Sequence, residues 1–112
     1  MKITEVEFAP SLENPHGVEV KKLYDTDNAQ VMHIALEPGE QLHRHITPVD
    51  VFFYVLQGTG VIEIGDEKKS VGVDTLIDSP ANIPHCWYNE SNETLRILVS
   101  KVPRPTKSTR IL

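Results

Sequence analysis

The sequence predicts an all-β fold, and three observations support that class. Apolar runs of four to eight residues alternate with polar clusters along the chain. Those clusters are rich in Gly, Pro, Asn and Asp, the residues that favour turns. No segment keeps the three-to-four-residue apolar period of an amphipathic helix. Short strands separated in this way are typical of a closed barrel or a double sheet.

Nine runs are predicted to be strands, because each contains β-branched or aromatic residues and is bounded by turn residues. In chain order they are Val18–Tyr24, Gln30–Glu37, Leu42–Ile46, Val51–Gln57, Val61–Ile64, Lys69–Val73, Asp74–Ser79, His85–Asn89 and Leu95–Val102. The turns that punctuate them are Asn14–Gly17, Asp25–Asn28, Pro38-Gly39, Gly58–Gly60, Gly65–Glu67 and Asn89–Asn92. The Pro38 ring sets φ for the second position of a type II turn, and Gly39 supplies the positive φ of the third.

The fourth predicted strand is apolar on both faces. Its side chains alternate between Val51, Phe53 and Val55 on one face and three large apolar or aromatic residues on the other. A strand of this kind is covered on both sides, either by a second sheet or by a second subunit. Since a small chain gains buried area by association, we expect a homodimer.

The length of 112 residues predicts a single folded domain. We assign residues 1–102 to this β domain. The remaining residues, 103–112, contain two prolines and mixed Thr, Lys, Ser and Arg. They are expected to form a basic C-terminal extension, or an arm that lies on a partner subunit.

Charge and cysteine content exclude several classes of protein. The net charge is −5 although residues 101–112 are basic, so the rest of the chain is strongly acidic and nucleic acid is not an expected partner. A single cysteine, Cys86, allows no intrachain disulfide and fits a reducing compartment. No leader pattern and no apolar run near the roughly 18 residues of a membrane span are present. We expect a soluble cytoplasmic protein without a membrane partner.

Three histidines suggest a metal centre. In a regular strand, residues i and i+2 share a face with Cα atoms about 6.6 Å apart, so His43 and His45 are expected to converge. His85 follows Pro84 at the start of another strand and can complete a three-nitrogen site. Such a site leaves coordination positions open and suits Fe, Mn, Ni, Cu or Zn.

Two segments resemble the motifs of the cupin superfamily, small jelly-roll β-barrels that often hold one metal ion. They are PGEQLHRHITPVDVFFYVLQGTG and GVDTLIDSPANIPHCWYN. The second motif of the family reads Pro, any residue, Gly, two residues, His, three residues, Asn. Here Asn82 stands in the glycine position, and Asn tolerates a left-handed backbone better than most residues. The resemblance implies a cupin-type jelly-roll barrel with His85 at the last metal-ligand position.

The first motif departs from the family pattern, which reads Gly, five residues, His, any residue, His, three or four residues, Glu, six residues, Gly. Aligned without gaps, the chain has His45, Thr47 and Val51 at the three ligand positions of this motif. A shift by two residues makes His43 and His45 the histidine pair instead. We favour a site of His43, His45 and His85 completed by water. In the alternative, the metal is lost and His45 and His85 bond to each other or to a ligand.

Other residues have more than one interpretation. Asp50 is a candidate carboxylate ligand or general base, and otherwise caps backbone near its own loop. Thr47, Val51 and Trp87 are expected to line the substrate pocket, although a single Trp is equally expected in the core. His16 lies in the first turn cluster and is expected to be only part of a loop.

Two function classes follow. The resemblance implies a metal-dependent enzyme, such as an oxygenase or isomerase, that acts on a small carbonyl or carboxylate compound. The alternative is a non-catalytic module that binds or senses a small molecule, with or without a metal. The fold alone does not separate these classes, because one barrel type supports unrelated activities.

Overall fold

A computed structural model describes the whole chain, residues 1–112. Ten strands form two five-stranded antiparallel sheets. They are β1 Glu19–Asp25, β2 Gln30–Leu36, β3 Gln41–Ile46, β4 Asp50–Gln57, β5 Gly60–Ile64, β6 Glu67–Val71, β7 Leu76–Ser79, β8 His85–Tyr88, β9 Leu95–Val102 and β10 Arg110–Ile111. The first sheet has the order β1-β2-β9-β4-β7, and the second has the order β10-β3-β8-β5-β6.

The predicted all-β class is confirmed, and all nine predicted strands are present with ends within two residues of their expected positions. The sequence did not predict the short strand β10 or the 3₁₀ turn Val6–Phe8. Both are too short to give a periodic signal. No helix has the length and hydropathy that crossing a membrane requires.

The two sheets form an open jelly-roll sandwich, and the expected closed barrel is not formed. No backbone ladder joins the first sheet to the second, so β1, β7, β6 and β10 are all edge strands. Alternation of apolar and polar residues determines which face of a strand is buried, but it does not determine whether the outer strands pair with each other. Closure is therefore a tertiary property that the pattern does not contain.

The core lies between the sheets and is built from inward side chains of both. On β4, Val51, Phe53 and Val55 are buried and alternate with more exposed neighbours. Phe53 meets Trp87 of β8 edge to face, with ring centroids 5.4 Å apart. Leu95 and other buried apolar residues of β1, β2, β3, β5 and β9 complete the cluster. Burying each large apolar side chain of this kind contributes roughly 1.5–3 kcal/mol to stability.

Two turns have the backbone that the sequence predicted. Gly39 has φ 86°, as the third position of a type II turn requires. Asn82, which stands in the glycine position of the second motif, has φ 65° and is in the left-handed region. The exchange of Gly for Asn therefore preserves the conformation of the loop that leads to β8.

The C-terminal segment, expected as an extension or an arm on a partner, lies along its own chain. Arg110 and Ile111 pair with Ile46 and His45 of β3 and form the edge of the second sheet. Arg104 donates to the Asp25 carboxylate at the end of β1, with Nε and Oδ1 2.6 Å apart. These contacts tie the basic tail to β1 at Arg104 and to β3 at Arg110 and Ile111.

The outer face of the first sheet carries apolar residues that no other element of the chain covers. On β4 this face presents Phe52, Tyr54 and Leu56, and Leu98 lies beside Tyr54 on β9. The expected homodimer stays a prediction, in which we expect this face to be the buried surface. Light scattering at micromolar concentration should give twice the chain mass, whereas a monomeric mass would remove the dimer.

Gly58 offers a test of the turn between β4 and β5. Its φ is 83°, and an added Cβ would lie 2.5 Å from the backbone oxygen of Thr94. We expect Gly58→Ala to lower the free energy of unfolding by about 1–3 kcal/mol, because it adds strain and a clash. Gly72→Ala is the matched control, since nothing lies within 4 Å of its added Cβ. Urea denaturation of both variants checks this, and equal stability would contradict it.

Candidate functional site

A β-bulge in β3 determines which histidines face the interior. Leu42 pairs with Trp87 and His45 pairs with His85, so β3 has one residue more than β8 between these two pairs. Because of the extra residue, the next inward side chain after Leu42 is that of His45, three residues on, and not that of Arg44, two residues on. Leu42 and His45 are therefore both buried, whereas His43 is exposed. The expectation that His43 and His45 share a face is wrong, because it assumed a regular strand.

Side-chain hydrogen bonds hold the bulge. The backbone N–H of His43 donates to Nδ1 of His16, with the two nitrogens 2.8 Å apart. The carbonyl oxygen of His43 accepts from Nδ1 of His45 at 2.6 Å. His16 comes from the turn before β1, where Asn14 Oδ1 accepts from its backbone N–H at 3.1 Å. Sequence patterns assigned His16 no role in the site, since no spacing signal connects it with a strand 27 residues away.

Burial lowers the pKa of the three histidines near the cavity. Desolvation is the main cause for His85, whose pKa falls to about 3, with further contributions from His45 and Lys101. Desolvation also lowers the pKa of His16 to about 4. The pKa of His45 is lowered by desolvation, although its bond to the His43 carbonyl partly opposes this. These rings are therefore uncharged at neutral pH.

The neutral rings form a directed chain of hydrogen bonds. The His43 carbonyl can only accept, so Nδ1 of His45 carries the proton and Nε2 of His45 accepts. Nε2 of His85 lies 3.0 Å from that Nε2 and must be the donor. The Thr47 hydroxyl oxygen is 3.3 Å from the same nitrogen of His85. Nδ1 of His85 then accepts from the Ser79 hydroxyl at 2.6 Å.

His45, Thr47 and His85 face a cavity of about 150 Å³ between the sheets. Its apolar lining consists of Val20, Met32, Ile34, Leu42, Val51, Phe53 and Val99. Its other lining residues are Asn14, Pro15, His16, His45, Thr47, His85, Lys101 and Thr109. None of the 16 acidic residues of the chain lines the cavity.

The structure separates the predicted site residues into two groups. His45, His85, Thr47 and Val51 meet at the cavity, where contact with a ligand stays a prediction. The other three lie elsewhere, and His43 is on the exposed side of β3 as described above.

Trp87 and Asp50 do not line the cavity. Trp87 is fully buried in the core against Phe53, as in the alternative interpretation of the sequence. Asp50 is exposed, and its Oδ1 accepts from the backbone N–H of Ala81 at 2.9 Å. It therefore holds the loop before β8, and its expected role as a carboxylate ligand or general base has no support in its position.

An open jelly roll with two inward histidines on β3 and β8 defines a cupin-type protein. The chain matches the Cupin domain family over residues 32–101, more than half of its length, and it belongs to that family. An uncharacterized protein of Methanocaldococcus jannaschii is 28% identical over 89 residues, which are 79% of this chain and 77% of that protein.

Solved structures have the same architecture. A Thermus thermophilus protein, TT1209, is 26% identical, with a TM-score of 0.80 over 94% of this chain and 100% of its own. The polyketide cyclase RemF from Streptomyces resistomycificus is 20% identical, with a TM-score of 0.85 over 100% of this chain and 85% of its own. The likeness to the cyclase shows a shared fold.

The residues present do not fit the four-ligand metal centre that the family resemblance implies. The ungapped alignment makes His45 the first ligand, and this agrees with the structure, in which the bulge turns His45 inward and His43 outward. On this alignment the four ligand positions hold His45, Thr47, Val51 and His85. They supply two imidazoles, one neutral hydroxyl and one hydrocarbon, whereas protein metal sites usually supply three or four strong ligands. No group of three or more His, Cys, Asp or Glu side chains is placed to hold an ion. A divalent transition metal stays a prediction.

The histidine pair predicts loss of stability in mild acid. Folding lowers the pKa of His85. Below about pH 6.5 this ring is therefore protonated in the unfolded chain but stays neutral in the folded chain, which favours unfolding. The stability is fully present above that pH and is lost as pH falls towards 3. We expect the free energy of unfolding to drop between pH 6 and 5, by up to about 1.4 kcal/mol for this residue.

Urea denaturation at pH 7, 6 and 5 measures the effect above the range in which carboxylates titrate. The His85→Asn variant should show a shallower dependence on pH, because it lacks the titrating ring. Wild-type stability that does not change across this range would show that His85 is protonated as easily in the folded chain as in the unfolded one.

Proposed function

We propose that this cupin binds a small molecule in the cavity between its sheets and does so without a resident four-ligand metal centre. The observation that carries the proposal is the mainly apolar cavity of about 150 Å³ between the sheets, whose wall also holds the Thr47 hydroxyl and three neutral histidine rings. Small-molecule sites are typically concave and apolar, with a few fixed polar groups that orient the ligand.

The polar groups of the cavity are held in place before any ligand arrives. His85 is fixed on both nitrogens, by the Ser79 hydroxyl on one side and by His45 on the other. His45 is in turn fixed by the His43 carbonyl. Because these rings are already oriented, a ligand orders few side chains when it binds, which favours affinity.

The alternative, a metal-dependent oxygenase or isomerase, has weaker support from the same cavity. No carboxylate lines it, and the candidate base Asp50 is exposed outside it. A general base must reach the proton that it removes. The lone pairs of both inward histidines are engaged by His85 Nε2–H and by Ser79, so neither ring has a free basic nitrogen. A non-catalytic binding or sensing role requires neither a carboxylate in the cavity nor a free basic nitrogen.

A thermal-shift screen of carbonyl and carboxylate compounds, with and without Fe, Mn, Ni or Zn, tests the proposal. We expect a compound to raise the melting temperature of the metal-free protein, since a ligand at a hundred times its Kd stabilises by about 2.7 kcal/mol. Thr47→Val should weaken that compound roughly tenfold, because it removes one hydroxyl from the cavity wall. Thr59→Val, which removes a hydroxyl at an exposed position outside the cavity, is the matched control and should bind as wild type.

Elemental analysis of tag-free protein tests whether the site is free of metal. Stoichiometric metal that is lost in His45→Ala would contradict the metal-free site, and its loss in His43→Ala as well would support the three-histidine centre that the sequence predicts. Turnover of a screened compound, with or without oxygen consumption, would show that the protein is an enzyme and would contradict a purely binding role.

A further inference from the structure

We propose that the cavity selects an anion, a small carboxylate with an apolar body, and that the Lys101 ammonium binds its carboxylate group. This inference rests on the proposed function, because it names the class of ligand that the cavity takes. Three features support it: an unpaired lysine, a lining without acidic residues, and free N–H and O–H donors.

Lys101 reaches the cavity from β9. It lies between Gln30 of β2 and Val51 of β4, and its partly buried side chain forms part of the cavity lining. The three ion pairs of the structure all involve other residues. Burial lowers the pKa of its ammonium, and no acidic neighbour opposes that shift. A partly buried charge without a partner is unfavourable, and a bound anion would supply the partner.

The other polar groups of the cavity favour an anion as well. Nδ1 of His16 accepts the His43 backbone N–H at 2.8 Å, so the neutral ring carries its proton on Nε2. No residue of the chain accepts a hydrogen bond from that nitrogen. The Thr47 oxygen lies 3.3 Å from Nε2 of His85, which donates its proton to His45 and cannot accept from Thr47, so the Thr47 hydroxyl proton stays available for donation. Donors without competing carboxylates discriminate in favour of a negative ligand.

The size and lining of the cavity describe the rest of the ligand. A volume of about 150 Å³ lies below the roughly 300–1,000 Å³ of pockets that hold drug-sized molecules. Seven apolar side chains, among them Phe53 and Met32, surround it. The ligand is therefore compact, with a hydrocarbon or aromatic body and one charged end.

Isothermal titration calorimetry on the full chain tests the inference with two matched pairs of probes, butyrate with butyramide and benzoate with benzamide. We expect at least one carboxylate to bind about tenfold or more tightly than its amide, because a hydrogen bond to a charged group exceeds one to a neutral group. Lys101→Met should remove this preference and leave the affinity for the amide. Lys101→Arg, which keeps the charge, should retain most of it.

Lys69→Met is the control for the loss of one positive charge, since Lys69 is exposed on β6 and does not line this cavity. It should bind as wild type. Equal affinity of wild type for carboxylate and amide would overturn the inference and leave the proposed function standing. A preference that persists in Lys101→Met would overturn it too. Binding of none of the four probes would also reject it, and the wider thermal-shift screen would then decide the proposed function separately.

Discussion

The extra residue of β3 is the constraint on which the cavity depends. In a regular strand that began with Leu42 inward, Arg44 would enter the interior and both His43 and His45 would face solvent. The bulge instead keeps the guanidinium outside, where it pairs with Glu63 at 3.3 Å, and brings His45 to His85. A single inserted residue therefore exchanges a buried cation for a neutral imidazole.

The bulge and the histidine chain stabilise each other. An extra residue disrupts the backbone ladder, and buried backbone groups without partners are unfavourable. Here the backbone N–H of His43 donates to the ring of His16, and the His43 carbonyl accepts from the ring of His45. The same two bonds determine the tautomers of both rings. The local backbone irregularity thus sets which groups the cavity offers, a donor on His16 and a saturated pair at His45 and His85.

Much of the fold could be predicted from local patterns. Strand positions follow from the alternation of apolar and polar side chains, which is a property of neighbours in sequence. The turns at Gly39 and Asn82 follow from the φ angles that these residue types allow. The cavity-facing position of His85 also agrees with the well-matched second motif. The candidate site residues that line the cavity are the four of the ungapped alignment, which are His45, Thr47, Val51 and His85.

By itself, the sequence determined the all-β class and the positions of nine strands to within two residues, and the inward positions of His45 and His85 follow from the ungapped alignment with the family motifs. Only the tertiary structure decided that His43 turns outward, that His16 and Lys101 reach the cavity and that the two sheets stay open. The physical reason is the range of the interactions. Periodicity and turn chemistry act over a few residues, whereas a bulge is defined by a partner strand, and a cavity is formed by residues that are distant in sequence.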